Sequence, residues 1–95
     1  MSNLGVPDEV YAALRDSAGS VPVGPAPAGG RAAWWAEHAE AEEVAHRAYE
    51  RLHGWAVEAG LHPAVVAAIG DAAEMRRQAA EQCRRDAARA TEEER

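Results

Sequence analysis

Trp34, His38, Ala41, Ala45, Ala48, Leu52, Trp55 and Ala59 follow one another at intervals of 4, 3, 4, 3, 4, 3 and 4 residues. A helix with about 3.6 residues per turn keeps such positions on one face, slowly winding around a neighbour. The spacing predicts a helix over 31–59 whose seam needs another helix against it. A strand cannot use this period, because its side chains alternate every second residue.

The flanking residues extend the argument. Gly60 suits the left-handed position that ends a helix, and Leu61 can fold back onto the last turn. Gly54 inside the helix is a candidate kink, since glycine costs about 1 kcal/mol relative to alanine there. Pro63 fits the first position of a second helix over 63–93. A connection as short as 60–62 makes the two helices antiparallel neighbours. Val65, Ile69, Ala72, Met75, Ala79, Cys83, Ala87 and Ala90 are the residues expected to face the first helix. Gly70, followed by Asp71 and Glu74, is a candidate break into 63–69 and 71–93. Glu92 to Glu94 put acid at the negative end of the helix dipole, so fraying is expected there.

Upstream, Pro7, Asp8 and Glu9 open a short helix to residue 18, with Val10, Leu14 and Ala18 in one stripe and Tyr11 beside it. Residues 19–30 hold three prolines and four glycines and read as a linker. The expected organisation is 1–18, linker 19–30 and helical hairpin 31–95. The fold class is all-α, a long antiparallel hairpin with a short N-terminal helix.

Composition says what this hairpin lacks. Roughly half of the apolar residues are alanine, phenylalanine is absent and Ile69 is the only isoleucine. Alanine forms helix well but fills little volume. A 95-residue chain of this kind is short of core, so completion into a bundle by oligomerisation is expected.

All ten basic residues are arginine, a bias expected of a GC-rich bacterial genome. The net charge of −6 disfavours a general polyanion binder, which works by neutralising phosphates. Arg76, Arg77, Arg84, Arg85 and Arg89 are interleaved with Glu74, Glu81 and Asp86. Arg77–Glu81 and Glu81–Arg85 fall at i, i+4 and Asp86–Arg89 at i, i+3, the lacing of a solvent-facing helix. Nucleic acid is therefore not an expected partner. The lone Cys83 excludes an internal disulfide and a multi-cysteine metal site, and it is expected to be a buried thiol. The first residues lack a basic segment and an apolar run, and no stretch reaches a membrane-spanning length. A cytoplasmic location is expected.

Glu43-x-x-His46 and Glu50-x-x-His53 repeat the carboxylate–histidine spacing of di-iron bundles. At about 100° per residue these side chains point well away from the heptad seam, whereas such ligands must point inward. They are expected to be solvated, and no metal or cofactor is assigned. No Ser/His/Asp or Cys/His set and no phosphate loop is found, so no catalytic residue is assigned either. His38 lies on the seam as a packed, register-setting polar residue.

Trp34, Trp35, Tyr49 and Trp55 place four of the five aromatics on one helix. Trp35 and Tyr49 sit beside the seam, making the apolar face wider than one neighbour requires. Aromatics are favoured interface anchors. Trp34, Trp35, His38, Tyr49, Leu52 and Trp55 are therefore the candidate interface residues, for a second copy of the chain and for a further protein.

In outline, two antiparallel helices in a chain of this length resemble the secreted helical hairpins that carry Trp-x-Gly in their turn. Here the nearest residues, His53-Gly54-Trp55, run in reverse, and no Tyr-x-x-x-Asp/Glu follows Tyr49. The likeness is one of shape and implies the hairpin alone. The function expected from the residues is a non-enzymatic helical interaction module acting as a homo-oligomer. A metal-binding helical bundle is the alternative, and a DNA-binding regulator a more distant one.

Overall fold

The computed structural model describes residues 6–19 and 29–95; residues 1–5 and 20–28, which include most of the expected linker, lie outside the described residues. The described residues form three helices: α1 (Asp8–Gly19), α2 (Arg31–Glu58) and α3 (Pro63–Glu93). α2 and α3 pack against each other along their lengths, and α1 packs on α2 without touching α3. The chain is an all-α helical hairpin with a short N-terminal helix.

The turn forms as its residues dictate. Gly60 adopts φ 70°, the left-handed conformation that glycine tolerates without a Cβ clash. Its N–H donates to the Val57 carbonyl at 3.1 Å, and the Leu61 N–H donates to the Ala56 carbonyl at 3.1 Å. This pair of bonds is the Schellman closure, which satisfies carbonyls that the ending helix leaves open. Pro63 then begins α3, and His62 caps it: its Nδ1 accepts from the Ala64 N–H at 3.0 Å. Nothing in the sequence pattern singled out His62 for that role.

One expectation about α3 is corrected. The helix does not break at Gly70 but runs through it. A Cβ built on Gly70 would lie 3.3 Å from His53 Cδ2, so the glycine admits a side chain from α2 rather than ending a helix. The helix ends at Glu93, the bound expected from the sequence, and its acids have partners on α2. Glu93 Oε2 pairs with Arg31 Nη1 at 3.5 Å, and Glu94 Oε1 accepts from the Ala32 N–H at 3.3 Å. Acid at the wrong end of its own dipole thus meets the positive N-terminus of the antiparallel neighbour.

The seam is rotated from its expected place. On α3 the side turned to α2 follows Val66, Ile69, Ala73, Arg76, Ala80, Cys83, Ala87 and Ala90, of which Ala73, Ala80, Cys83 and Ala90 are buried. Ile69, Cys83, Ala87 and Ala90 are in their expected stripe. Val65 and Met75, expected inside, are 46% and 60% exposed. The expected stripe went wrong at doublets: Val65/Val66, Ala72/Ala73 and Ala79/Ala80 offer two faces with nearly the same apolar pattern. Polar contacts choose between them. Arg76 and the Ala73 carbonyl both find partners on α2, and turning the helix by one residue would remove both.

On α2 the matching line is Glu42, His46, Tyr49, His53 and Ala56, again at heptad spacing. It lies about 100° around the helix from the line Ala41, Ala48, Leu52 and Trp55. Ala41 and Ala48 are buried, as are Ala56 and Glu42. The wide face of α2 therefore has two neighbours within its own chain, α3 and α1.

Candidate interaction surface

The six candidate interface residues are spread over two sides of α2. Trp35 and Tyr49 share the side of Glu42 and Ala56, which meets α3. Trp34, Leu52 and Trp55 lie farther round, on the side of buried Ala41 and Ala48. Trp55 lines a cleft of about 570 Å³ with Val10 and Pro7 of the α1 segment, where α1 crosses the end of α2. His38 falls between the two sides. All six are half-buried.

Trp34, Trp35 and His38 form a tight aromatic cluster. The two indoles meet edge to face at 4.9 Å between centroids, and the His38 ring lies 5.1 Å from Trp34 and 6.0 Å from Trp35. His38 Nδ1 is buried and has no hydrogen-bond partner among the described residues. The expected packing of His38 is present, without a bond at that nitrogen.

The histidines and acids expected in solvent are placed differently. His46 keeps only 15% of its side chain exposed and bridges the hairpin. Its Nδ1–H donates to the Ala73 carbonyl at 2.9 Å, while Nε2 lies 3.3 Å from Glu50 Oε1. His53 is half-buried against Gly70. Glu43 is half-buried and takes Arg84 at 3.0 Å. Rotation of the seam toward Glu42 is the physical reason, since it carries the whole flank of α2 toward α3. Glu50 remains exposed. His46, Glu50, His53, Glu74 and Arg77 line one shallow polar cleft of about 280 Å³. Glu74 there is committed to Arg77 and Gln78, and among the described residues no three histidine, cysteine or acidic side chains come close enough together to hold a metal ion.

The basic residues of α3 divide by role. Arg76 reaches across to Glu42 and Arg84 to Glu43, so these two are hairpin ties rather than solvent lacing. Arg77 pairs with Glu74 and Glu81, and Arg89 with Asp86 at 3.5 Å, as spacing predicts. The expected Glu81–Arg85 pair is not formed, because Arg77 takes Glu81. The Arg77 guanidinium, with help from Gln78, holds the exposed Glu74 carboxyl down at about 2. Cys83 is buried as expected; burial, then the nearby charges of Glu42 and Asp86, push its thiol up from the ordinary value.

What the candidate set missed is on α3. Val65, Ala68, Ala72, Met75 and Ala79, at 3-4-3-4 spacing, form an apolar stripe beside the seam. Val65, Ala68 and Met75 are exposed and the other two half-buried. Among the described residues α1 makes no contact with this helix. The signal was in the alanine doublets, whose second face was available once the first was used.

Comparison with protein-family models, curated proteins and solved structures finds no match to this chain. No helix among the described residues is long and apolar enough to cross a membrane.

Proposed function

We propose that this chain is a non-enzymatic helical interaction module that acts as a homo-oligomer, serving as an adaptor, regulator or small inhibitor in the cytoplasm. The observation that carries the reading is the composition of the core. Its buried apolar residues are Val10, Cys83 and alanines, and among the described residues no large side chain is fully buried. The large apolar groups are instead half-covered, as at Trp34, Trp35, Leu52 and Trp55, or exposed, as at Met75 and Val65. Fully covering such a side chain contributes about 1.5–3 kcal/mol, and the isolated chain leaves much of that ungained. A second helical layer supplies it.

The polar side favours the same reading. Arg76, Arg84, Glu42, Glu43 and His46 are spent in tying the hairpin, and Arg77 and Glu74 in holding each other. These groups stabilise a scaffold. Light scattering on the purified full chain tests the proposal. A mass at a multiple of 10.1 kDa supports it, and a concentration-independent 10.1 kDa particle refutes the homo-oligomer.

A further inference from the structure

We infer that His46 and Glu50 chelate one divalent transition-metal ion, of the chemistry of Zn²⁺, in the polar cleft between α2 and α3. The site stands apart from the homo-oligomer reading and does not rest on it.

The two ring nitrogens of His46 have different duties. Nδ1 lies 2.9 Å from the Ala73 carbonyl oxygen. A carbonyl only accepts, so the hydrogen of the neutral ring sits on Nδ1 and the lone pair on Nε2. That lone pair faces Glu50 Oε1 at 3.3 Å. Two acceptors this close repel each other unless a cation lies between them. A proton is one such cation, but a charge-assisted N–H···O bond draws its atoms to about 2.7–2.9 Å. A tetrahedral ion with bonds of about 2.0–2.1 Å holds two of its ligands about 3.3–3.4 Å apart. The observed separation matches the second case.

The surroundings suit the same use. A metal-bound histidine commonly donates its other N–H to a carbonyl, which fixes the ring and its tautomer. Ala73 does this from the facing helix. His46 is thus held in place, while the exposed Glu50 has no other bond among the described residues and can close on an arriving ion. A spacing of four residues sets the two side chains one above the other on α2. The cleft, of about 280 Å³, has room for an ion and its waters. Arg77 on the opposite wall is a cation, but Glu74 and Glu81 neutralise it. Among the described residues no third side chain comes within reach, so water completes the shell and the site is an open one. Glu43 is taken by Arg84, and the His53 ring is lodged against Gly70. One nitrogen and one carboxylate favour zinc-like ions over Mg²⁺ and Ca²⁺, which prefer oxygen alone.

Titration calorimetry of the untagged full chain with zinc chloride near neutral pH tests the site, with circular dichroism as the check on folding. One zinc per chain is expected, and no heat from magnesium chloride. Glu50→Gln, at an exposed position, should keep its helicity and weaken zinc binding by at least about ten-fold, as should His46→Ala. His62→Asn removes a histidine from the turn while keeping a good helix cap, and is expected to bind zinc like wild type. If His46→Ala loses helicity, Glu50→Gln carries the test alone. A chain that binds no zinc overturns the inference and leaves the space between His46 and Glu50 to a proton. Zinc binding that is indifferent to Glu50→Gln, or lost equally in His62→Asn, overturns it as well.

Discussion

Arg76 donates from Nη1 to both carboxylate oxygens of Glu42, at 3.1 and 3.2 Å, across the seam of the hairpin. The Glu42 side chain is only 5% exposed, while the arginine is 40% exposed, so the carboxylate depends on a partner that is itself partly in water. Removing the arginine strands a buried charge; removing both leaves an apolar seam. We expect Arg76→Met to lose about 2–3 kcal/mol of unfolding free energy, below the fully buried range because water reaches the site. Glu42→Leu/Arg76→Met should recover most of it. Urea denaturation at one fixed protein concentration measures both, and strictly additive losses would contradict the coupling.

The two helical glycines are expected to answer alanine differently. A Cβ on Gly54 meets nothing within 4 Å, so Gly54→Ala should gain about 0.5–1 kcal/mol from helix propensity. At Gly70 the same methyl presses on the His53 ring, 3.3 Å away, and the gain should be cancelled or reversed. Thermal melts of the two variants compare them. Equal stabilisation would mean that His53 does not occupy the space beside Gly70.

Glu74 supplies a pH signature. Its carboxyl, bonded to Arg77, is held at about 2 against an ordinary 4.5. A folded value below the unfolded one means stability that is present above pH 4.5 and is lost as pH falls from there toward 2. Wild type should therefore melt above Glu74→Gln at neutral pH, and the gap should close as pH drops through that window. Because Glu74 and Arg77 share one exposed helix face, the gap is expected to be small and to shrink with added salt. A gap unchanged down to pH 2 would remove the pair's contribution.

The end of the hairpin makes a separate expectation. Glu93 and Glu94 act on the first turn of α2, through Arg31 and the Ala32 N–H. Neutralising both as glutamine should cost about 0.3–1 kcal/mol at low ionic strength and fray both helix ends together. Amide hydrogen exchange at residues 32–34 reads this directly. Unchanged protection there would show that the acids do not hold α2.

The pattern of legibility in the sequence has a physical explanation. The turn was readable because Gly60, Leu61 and Pro63 each solve a local backbone problem that has few other solutions. The helices were readable from alanine content and heptad spacing. The faces of α3 were not, because Ala72/Ala73 and Ala79/Ala80 look alike to any apolar count. What selects between them is Glu42 and His46 on another helix, a contact no local rule contains. For the same reason the heptad pattern puts His46 and His53 in water: that seam belongs partly to α1. Among the expected interface residues, Trp35 and Tyr49 lie on the α3 side and Leu52 and Trp55 on the α1 side. The width of that face no longer requires a partner by itself, and the case for assembly rests on the thin alanine core and the open stripe of α3.

The most direct test of that case is the mass of the untagged chain by multi-angle light scattering over a hundred-fold range of concentration. We expect the mass to rise with concentration to a multiple of 10.1 kDa. A wild-type particle that remains at 10.1 kDa across the whole range would contradict it.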